Sequence, residues 1–309
     1  MAAVGFAARA ERIAALGFNY HAQPKTRVER CNLCGDSQFI GLTRRDRYGY
    51  PASASGCARC GLVFLDPVMT AAAYGSFYQA IYRPLVSAFH GRVIDARTIQ
   101  DEQREYAIDR GDLLARYLDG RGYQTLLDVG GSTGVVADAL AKRFDLRATV
   151  VDPAPLETAQ AQALGLETIE GLIEQIDFDA RQFDVVILCQ TVDHLLDVTG
   201  TLHRLRQVIA PGGLFFVDIV DFRAAYLRNA SVESAVKIDH PYYLTEPTMM
   251  AFLRRAGFDV VRTDYAADHL HVSYVAAPAA PQDGALPPAE SVSGLWREIR
   301  SVQNAPGRG

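Results

Sequence analysis

The 309-residue chain has no run of 18 or more consecutive apolar residues, and so offers no membrane-spanning helix. It also lacks a basic excess. Lys and Arg number 31 against 36 Asp and Glu, leaving a net charge of −5. A surface that holds nucleic acid is usually basic, so this balance points away from RNA and DNA as partners. Met1 to Gly17 lacks the unbroken apolar core of an export signal. Arg9, Glu11 and Arg12 interrupt an Ala-rich stretch, which predicts a short amphipathic helix and a cytoplasmic protein. No repeat of fixed period is visible, which excludes a solenoid. Cysteines are few, five in all, and tryptophan occurs once, at Trp296.

Apolar residues make up 49% and charged residues 22%, ordinary values for a globular chain that buries a full core. The length suits one α/β domain with a smaller module. The expected division is a zinc-binding module with an aromatic connector at 1–92, a catalytic domain at 93–276, and a Pro/Ala-rich linker and tail at 277–309. A short terminal helix is expected over Ser293 to Val302, and the closing Pro-Gly-Arg-Gly is expected to lack order.

Four of the five cysteines fall in two pairs, Cys31-x-x-Cys34 and Cys57-x-x-Cys60, with 22 residues between them. Reduced cytoplasmic thiols in such pairs indicate a metal before a disulfide. Two cysteines flanking two residues can both reach one ion. Gly35 and Gly61 follow the pairs and suit the tight knuckle. Four thiolates complete a tetrahedral sphere, so Cys31, Cys34, Cys57 and Cys60 are expected to hold a structural Zn²⁺. Cys189 ends a buried strand and reads as a small core residue.

From residue 123 onward, short apolar strands alternate with helices. Strands are expected at 126–129, 148–151, 167–169, 183–189, 214–219, 258–263 and 270–276, with helices at 135–144, 156–164, 199–209 and 247–256. Continuous apolar strands between helices predict an α/β fold: a Rossmann-like, mostly parallel seven-stranded sheet covered by helices on both faces, preceded by a zinc-ribbon-like module.

Asp128-Val129-Gly130-Gly131-Ser132-Thr133-Gly134 lies between the first strand and first helix of that domain. Glycines there let a backbone approach a ligand, and the helix start offers free N–H groups. Asp128 sits at the strand end. It would repel a pyrophosphate and attract a sulfonium or an ammonium. Asp152, 24 residues further on, ends the next strand, where an acid accepts from ribose hydroxyls.

With LLDVGGSTG, VVDP, FDVVILCQTVDHLLDV, LHRLRQVIAPGGLFFVDI and AGFDVV in this order, residues 123–275 resemble class I S-adenosylmethionine (SAM)-dependent methyltransferases. The resemblance implies SAM as cofactor. It places Gly130, Gly131 and Gly134 at the methionine end and Asp152 with Pro153 at the ribose. Leu172 and Ile173 then flank the adenine, and Cys189 and Gln190 lie beneath the sulfonium. CNLCG, CARCGLVFLDP and SFYQAIY look like the front zinc segment of methyltransferases from sugar and polysaccharide pathways. That implies a nucleotide-linked sugar or related glycan precursor as acceptor. The relatives that methylate at carbon carry a further C-terminal domain not found here, so C- and O-methylation both stay open.

Methyl transfer needs two aligned reactants and a base for the acceptor's proton. His194, after the fourth strand, and His240 with Tyr243, after the fifth, are the catalytic candidates, each with a loop-packing alternative. Tyr78 and Tyr82 are candidates to close over the SAM carboxylate, or are aromatics joining the two parts. Arg44, Arg45 and Arg47 are candidates to meet a phosphate on the acceptor, or are solvated surface. His269 and His271 alternate on a strand-like stretch. The competing readings are an RNA methyltransferase, a nicotinamide-dependent oxidoreductase disfavoured by Asp128, and a non-catalytic SAM-fold and zinc-ribbon binding protein.

Overall fold

The computed structural model describes residues 2–305; Met1 and the closing Pro306–Gly309 lie outside the described residues. The front of the chain runs through α1 (Ala2–Ala14), β1 (Lys25–Thr26), β2 (Phe39–Thr43), β3 (Ala54–Cys57), β4 (Val63–Leu65), β5 (Val68–Met69), α2 (Ala71–Ala80), α3 (Tyr82–His90) and α4 (Ile99–Leu118). The alternating part follows: β6 (Thr125–Val129), α5 (Val135–Phe144), β7 (Arg147–Asp152), α6 (Pro155–Ala163), β8 (Glu167–Glu170), β9 (Phe183–Leu188), α7 (Val198–Val208) and β10 (Ile209–Val220). The chain ends with α8 (Phe222–Asn229), β11 (Tyr242–Tyr243), α9 (Glu246–Ala256), β12 (Phe258–Tyr265), β13 (His271–Pro278) and α10 (Ala289–Asn304).

Seven strands form the large sheet in the order β12-β13-β10-β9-β6-β7-β8. β6 to β10 pair in parallel, and β13 runs antiparallel between β10 and β12. Val185 to Leu188 are buried on both faces, as continuous apolar strands of a covered parallel sheet must be. β7 and β8 lie to one side of β6, and β9 lies to the other. The order therefore reverses between β6 and β9, which opens a crevice at their carboxyl ends. Among the described residues no helix is long and apolar enough to cross a membrane.

The expected strands are all present. β10 is longer than the expected 214–219 and carries a register shift between Ile209 and Leu214, where Pro211-Gly212-Gly213 sits. α8 was not expected.

The front module is not separable at residue 92. β2, β3 and β4 form an antiparallel meander, and β11 adds to it from the far end of the catalytic domain, pairing Tyr242 with Phe64 and Tyr243 with Val63. The expected linker and tail also differ. α10 spans 289–304 and lies on the cysteine module: a Cβ at Gly56 would stand 2.2 Å from the Trp296 ring, and one at Gly61 would stand 3.3 Å from Leu295. Val292, Leu295, Trp296 and Ile299 supply its buried face. A four-residue spacing of apolar side chains thus makes the tail part of the core.

Candidate active site and metal centre

The four cysteines converge. Their Sγ atoms all lie within 4.8 Å of one another, with Cys31–Cys60 and Cys34–Cys57 each 3.5 Å apart. Four thiolates on one tetrahedral ion with bonds of about 2.3 Å have sulfurs roughly 3.8 Å apart, whereas a disulfide needs about 2 Å. Each knuckle closes on its glycine: Gly35 N–H donates to Cys31 C=O at 2.8 Å, and Gly61 N–H to Cys57 C=O at 2.9 Å, with φ of 73° and 77°. The donor set and spacing therefore fit a four-thiolate ion. Asn32, inside the first knuckle, stitches the module to α7 through Asp197 and Thr199.

At the switch point the loop after β6 has a narrow form. Gly130 takes φ 71°, and a Cβ there would fall 2.4 Å from Thr191; Gly131 would crowd Asp128 Oδ2 at 2.6 Å. Asp128 is fully buried, and neither carboxylate oxygen has a hydrogen-bond partner in the protein. Burial, then the nearby Asp152 charge, push its carboxyl up to about 8. A buried carboxylate left without partners is costly, and a cationic ligand would relieve it. Asp152 accepts from the N–H groups of Ser132 and Ala154, both at 2.9 Å, so it also braces the glycine loop. Burial raises it to about 6 against those two bonds.

Several expected residues are found around this loop, with some differences. Gln190 takes φ 51° and is held there by Asp218, which accepts its N–H at 2.6 Å. Asp218 is in turn paired with Arg110 at 3.2 Å and bonded by Tyr106. Pro153, Leu172 and Cys189 are half-buried, but Ile173 packs into the core and has little face left for an adenine. Arg83 was missed by sequence reading. It reaches from α3 to Glu157 at 2.7 Å and to Ser132 Oγ at 3.0 Å, joining the front module to the glycine loop.

Tyr78 and Tyr82, the aromatics of the connector, stand beside the glycine loop's partner Arg83 in sequence. They sit with the histidines. Tyr78 Oη is 3.0 Å from His194 Nδ1 and donates to the Asp239 C=O at 3.1 Å; the Tyr82 ring centroid is 5.9 Å from that of His194. His194 and His240 come together with centroids 4.3 Å apart. Asp193 Oδ2 is 2.7 Å from His240 Nδ1, and Lys237 Nζ is 2.9 Å from His240 Nε2. Asp193, Asp239 and His240 are buried and Lys237 is half-buried, and Asp193 and Asp239 are held below the usual carboxylate range, against their burial, chiefly by the neighbouring His240. Burial, then His240, lowers His194 to about 4, so it is neutral at pH 7. With the Tyr78 proton given to Asp239 C=O, His194 donates from Nδ1 and keeps Nε2 as a bare acceptor.

Tyr243 departs from the expectation of a catalytic role. Its hydroxyl donates to Lys237 C=O at 2.7 Å and accepts Lys237 N–H at 3.0 Å, so it clasps the loop instead. His269 and His271 do not form a pair: His271 Nδ1 binds Asp268 at 2.6 Å, and His269 sits in the preceding turn with φ 55°. Arg44 and Arg45 are exposed, while Arg47 turns inward. Three Asp-His dipeptides stand in the sequence, at 193, 239 and 268, and the first two were a readable sign of this cluster.

The methyltransferase-domain family model matches residues 100–263, more than half of the chain. The chain belongs to that family. It carries a SAM-dependent methyltransferase domain on the α/β sheet, behind the four-cysteine cluster. Among curated relatives, the ubiquinone biosynthesis O-methyltransferase of Methylocella silvestris is 35% identical over 97 residues, 29% of this chain and 38% of that protein. That of Saccharophagus degradans is 28% identical over 170 residues, 49% and 72% of the two chains. The demethylmenaquinone methyltransferase of Chlorobaculum tepidum is 30% identical over 104 residues, 33% and 43%. The chain spans about two fifths of the length of the relatives it matches at 31–35% identity. Among solved structures, an O-methyltransferase family protein of Burkholderia thailandensis has a TM-score of 0.49 at 16% identity, covering 67% of this chain and 64% of its own. A protein of Pyrococcus horikoshii also has 0.49, at 17%, covering 60% and 93%. At these values neither protein informs the chemistry of this methyltransferase domain.

Proposed function

We propose that the chain transfers the methyl group of SAM to a small polar acceptor, a nucleotide-linked sugar or related glycan precursor. The observation that carries the cofactor is Asp128, a buried carboxylate without partners inside a glycine cradle. Asp128 with the loop at Gly130, Gly131 and Gly134 would hold the cationic methionine end. Asp152 would take the ribose, with Pro153 beside it, and Leu172 the adenine. Cys189 and Gln190 would lie under the reacting centre. SAM supplies a methyl carbon already activated by its sulfonium, so the protein's work is alignment and proton removal.

His240 is assigned that proton. Asp193 fixes its Nδ1–H and would stabilise the imidazolium, and Nε2 would receive the acceptor's proton once the acceptor hydroxyl takes the place of Lys237 Nζ on it. Lys237 Nζ occupies Nε2 in the acceptor-free site, and His194, 4.3 Å ring to ring, has Nε2 placed to accept from a second hydroxyl. The atoms of Asp193, His194 and His240 are also close enough to share a metal. An ammonium 2.9 Å from His240 Nε2 makes that use unfavourable.

The relatives named for quinone pathways suggest a phenolic acceptor as a second reading. The buried Asp193, Asp239 and His240, with the half-buried Lys237 and His194 beside them, speak against a largely apolar acceptor, because each would lose water without a polar replacement. The cysteine cluster is assigned a structural Zn²⁺. The deciding assay is release of S-adenosylhomocysteine from SAM across nucleotide-sugars, phenols and ribosomal RNA. Turnover confined to a nucleotide-sugar is expected. Turnover confined to phenols or RNA would overturn the acceptor class.

A further inference from the structure

One basic cluster is left over by the site described above. Arg9 of α1 and Arg47 of the β2–β3 connection both stack on Phe89, with guanidinium carbons 4.2 and 4.0 Å from the ring centroid. The buried Nε of each has no hydrogen-bond partner. Among the described residues neither forms an ion pair with a carboxylate. The one acid adjacent in sequence, Asp46, is committed elsewhere: its oxygens accept the N–H groups of Tyr48, Tyr50 and Ile238 at 3.0, 2.9 and 3.0 Å. Two cations are thus gathered on one ring with nothing to neutralise them. Cation–π contact offsets part of that cost, but it supplies no hydrogen-bond acceptor.

The cluster is continuous with the proposed acceptor site. Arg47 N–H donates to Val236 C=O at 2.8 Å, and the next residue, Lys237, reaches His240 Nε2. The Arg47 charge is felt at Lys237, where after burial it helps to lower the ammonium, and at His90 on the outer side. Planar guanidiniums with free N–H groups match phosphate oxygens closely.

We infer that Arg9 and Arg47, held on Phe89, form the binding site for a phosphate or diphosphate group carried by the acceptor. This rests on the proposed acceptor reading and names the part of the molecule that the front module grips. The negative overall charge of the chain and the confinement of the cluster to one ring fit a single small anion, not a polyanion.

The test is a titration of the full chain with inorganic pyrophosphate, followed by ³¹P line broadening and calorimetry. SAM affinity, measured in parallel, reports that each variant is folded and keeps the cofactor reading separate. Saturable binding is expected, weakened at least tenfold by Arg47→Gln and by Arg9→Gln and unchanged by the double variant Arg44→Gln/Arg45→Gln. If Arg47→Gln fails to fold, Arg9→Gln decides alone. Absence of saturable binding to the unaltered protein would overturn the inference. So would equal weakening by the Arg44/Arg45 variant, which would mean a diffuse basic surface, or equal affinity for malonate, which would mean no phosphate preference. Failure of the acceptor reading shows separately, as silence of the nucleotide-sugars in the methyl-transfer assay.

Discussion

Binding of SAM should expel a proton, and Asp128 should be its source. Without ligand this carboxyl sits at about 8, raised mainly by burial and secondarily by Asp152, so near neutral pH it is largely protonated. A cationic methionine end favours the ionised form, so at pH 6 to 7.5 the complex holds fewer protons than its parts. Affinity must then rise with pH. For one group at about 8, the association constant should increase about 25-fold between pH 6.0 and 7.5, approaching tenfold per unit. Asp152, at about 6, titrates at the lower edge of this window and adds little above it. The upper limit is set by the ligand's own amino group, which titrates near 7.7–8.0. Calorimetry in two buffers of different ionisation enthalpy counts the protons released. Asp128→Asn mimics the neutral acid, so its affinity should be lower at pH 7.5 and nearly independent of pH. The ligand-free protein should also lose stability as pH rises from the ordinary carboxylate range toward 8, because the folded state then holds a proton that the unfolded chain has released. A flat affinity profile for the unaltered protein, or an undiminished slope in Asp128→Asn, would refute the assignment of Asp128 to the cofactor.

Three further outcomes are expected. Purified protein should contain one zinc per chain by elemental analysis, and chelation or Cys60→Ser should lower the melting temperature; absence of any bound metal refutes the four-thiolate site. His240→Asn should lower kcat by about 10² to 10⁴ with SAM affinity unchanged, and Asp193→Asn should lower it less while shifting the pH profile; a larger loss in His194→Ala than in His240→Asn would exchange their roles. Trp296→Ala should destabilise the protein by about 3–5 kcal/mol in denaturant titration, because a buried ring is removed from the back of the metal module; a change within about 0.5 kcal/mol would mean that α10 is a loosely attached tail.

The sheet and its cofactor loop were legible because their signals are local and periodic. Val185 to Leu188 is an unbroken apolar run, Leu126-Leu127-Asp128-Val129 is one interrupted only by its acid, and the cysteine pairs carry their geometry in their spacing. What escaped is built from single residues that meet only in three dimensions. β11 is two residues long and has no period to read. Arg83 lies in a helix chosen for its aromatics, yet it serves the glycine loop 49 residues away. Tyr78 was readable as an aromatic near the site, but its side of the site depends on how α2 packs against the 237–240 loop. Lys237 gave no sign of its place beside His240, since a lone lysine ordinarily faces water. α10 was hidden by the Pro- and Ala-rich run before it, and its apolar stripe acquires meaning only once Gly56 presents a flat place for the indole.

These hidden contacts explain why a metal module belongs in front of this domain at all. A small four-stranded sheet of a few residues per strand has little core of its own, and a closed thiolate site is one way to make it rigid. β4, fixed by the knuckle at Cys57 and Cys60, pairs with β11, and β11 begins two residues after His240. Asp46, on the same module, holds Ile238 N–H, and Arg47 holds Val236 C=O. The loop that carries Lys237, Asp239 and His240 is therefore suspended from the metal module at both ends, while Asp193 and His194 are carried by the large sheet. The base and its orienting acid come from different bodies and meet at 2.7 Å. Loosening the module should therefore separate His240 from Asp193 before it disturbs Asp128 and the glycine loop. On this account partial metal loss lowers kcat while SAM remains bound, and the two activities of the chain part company in that order.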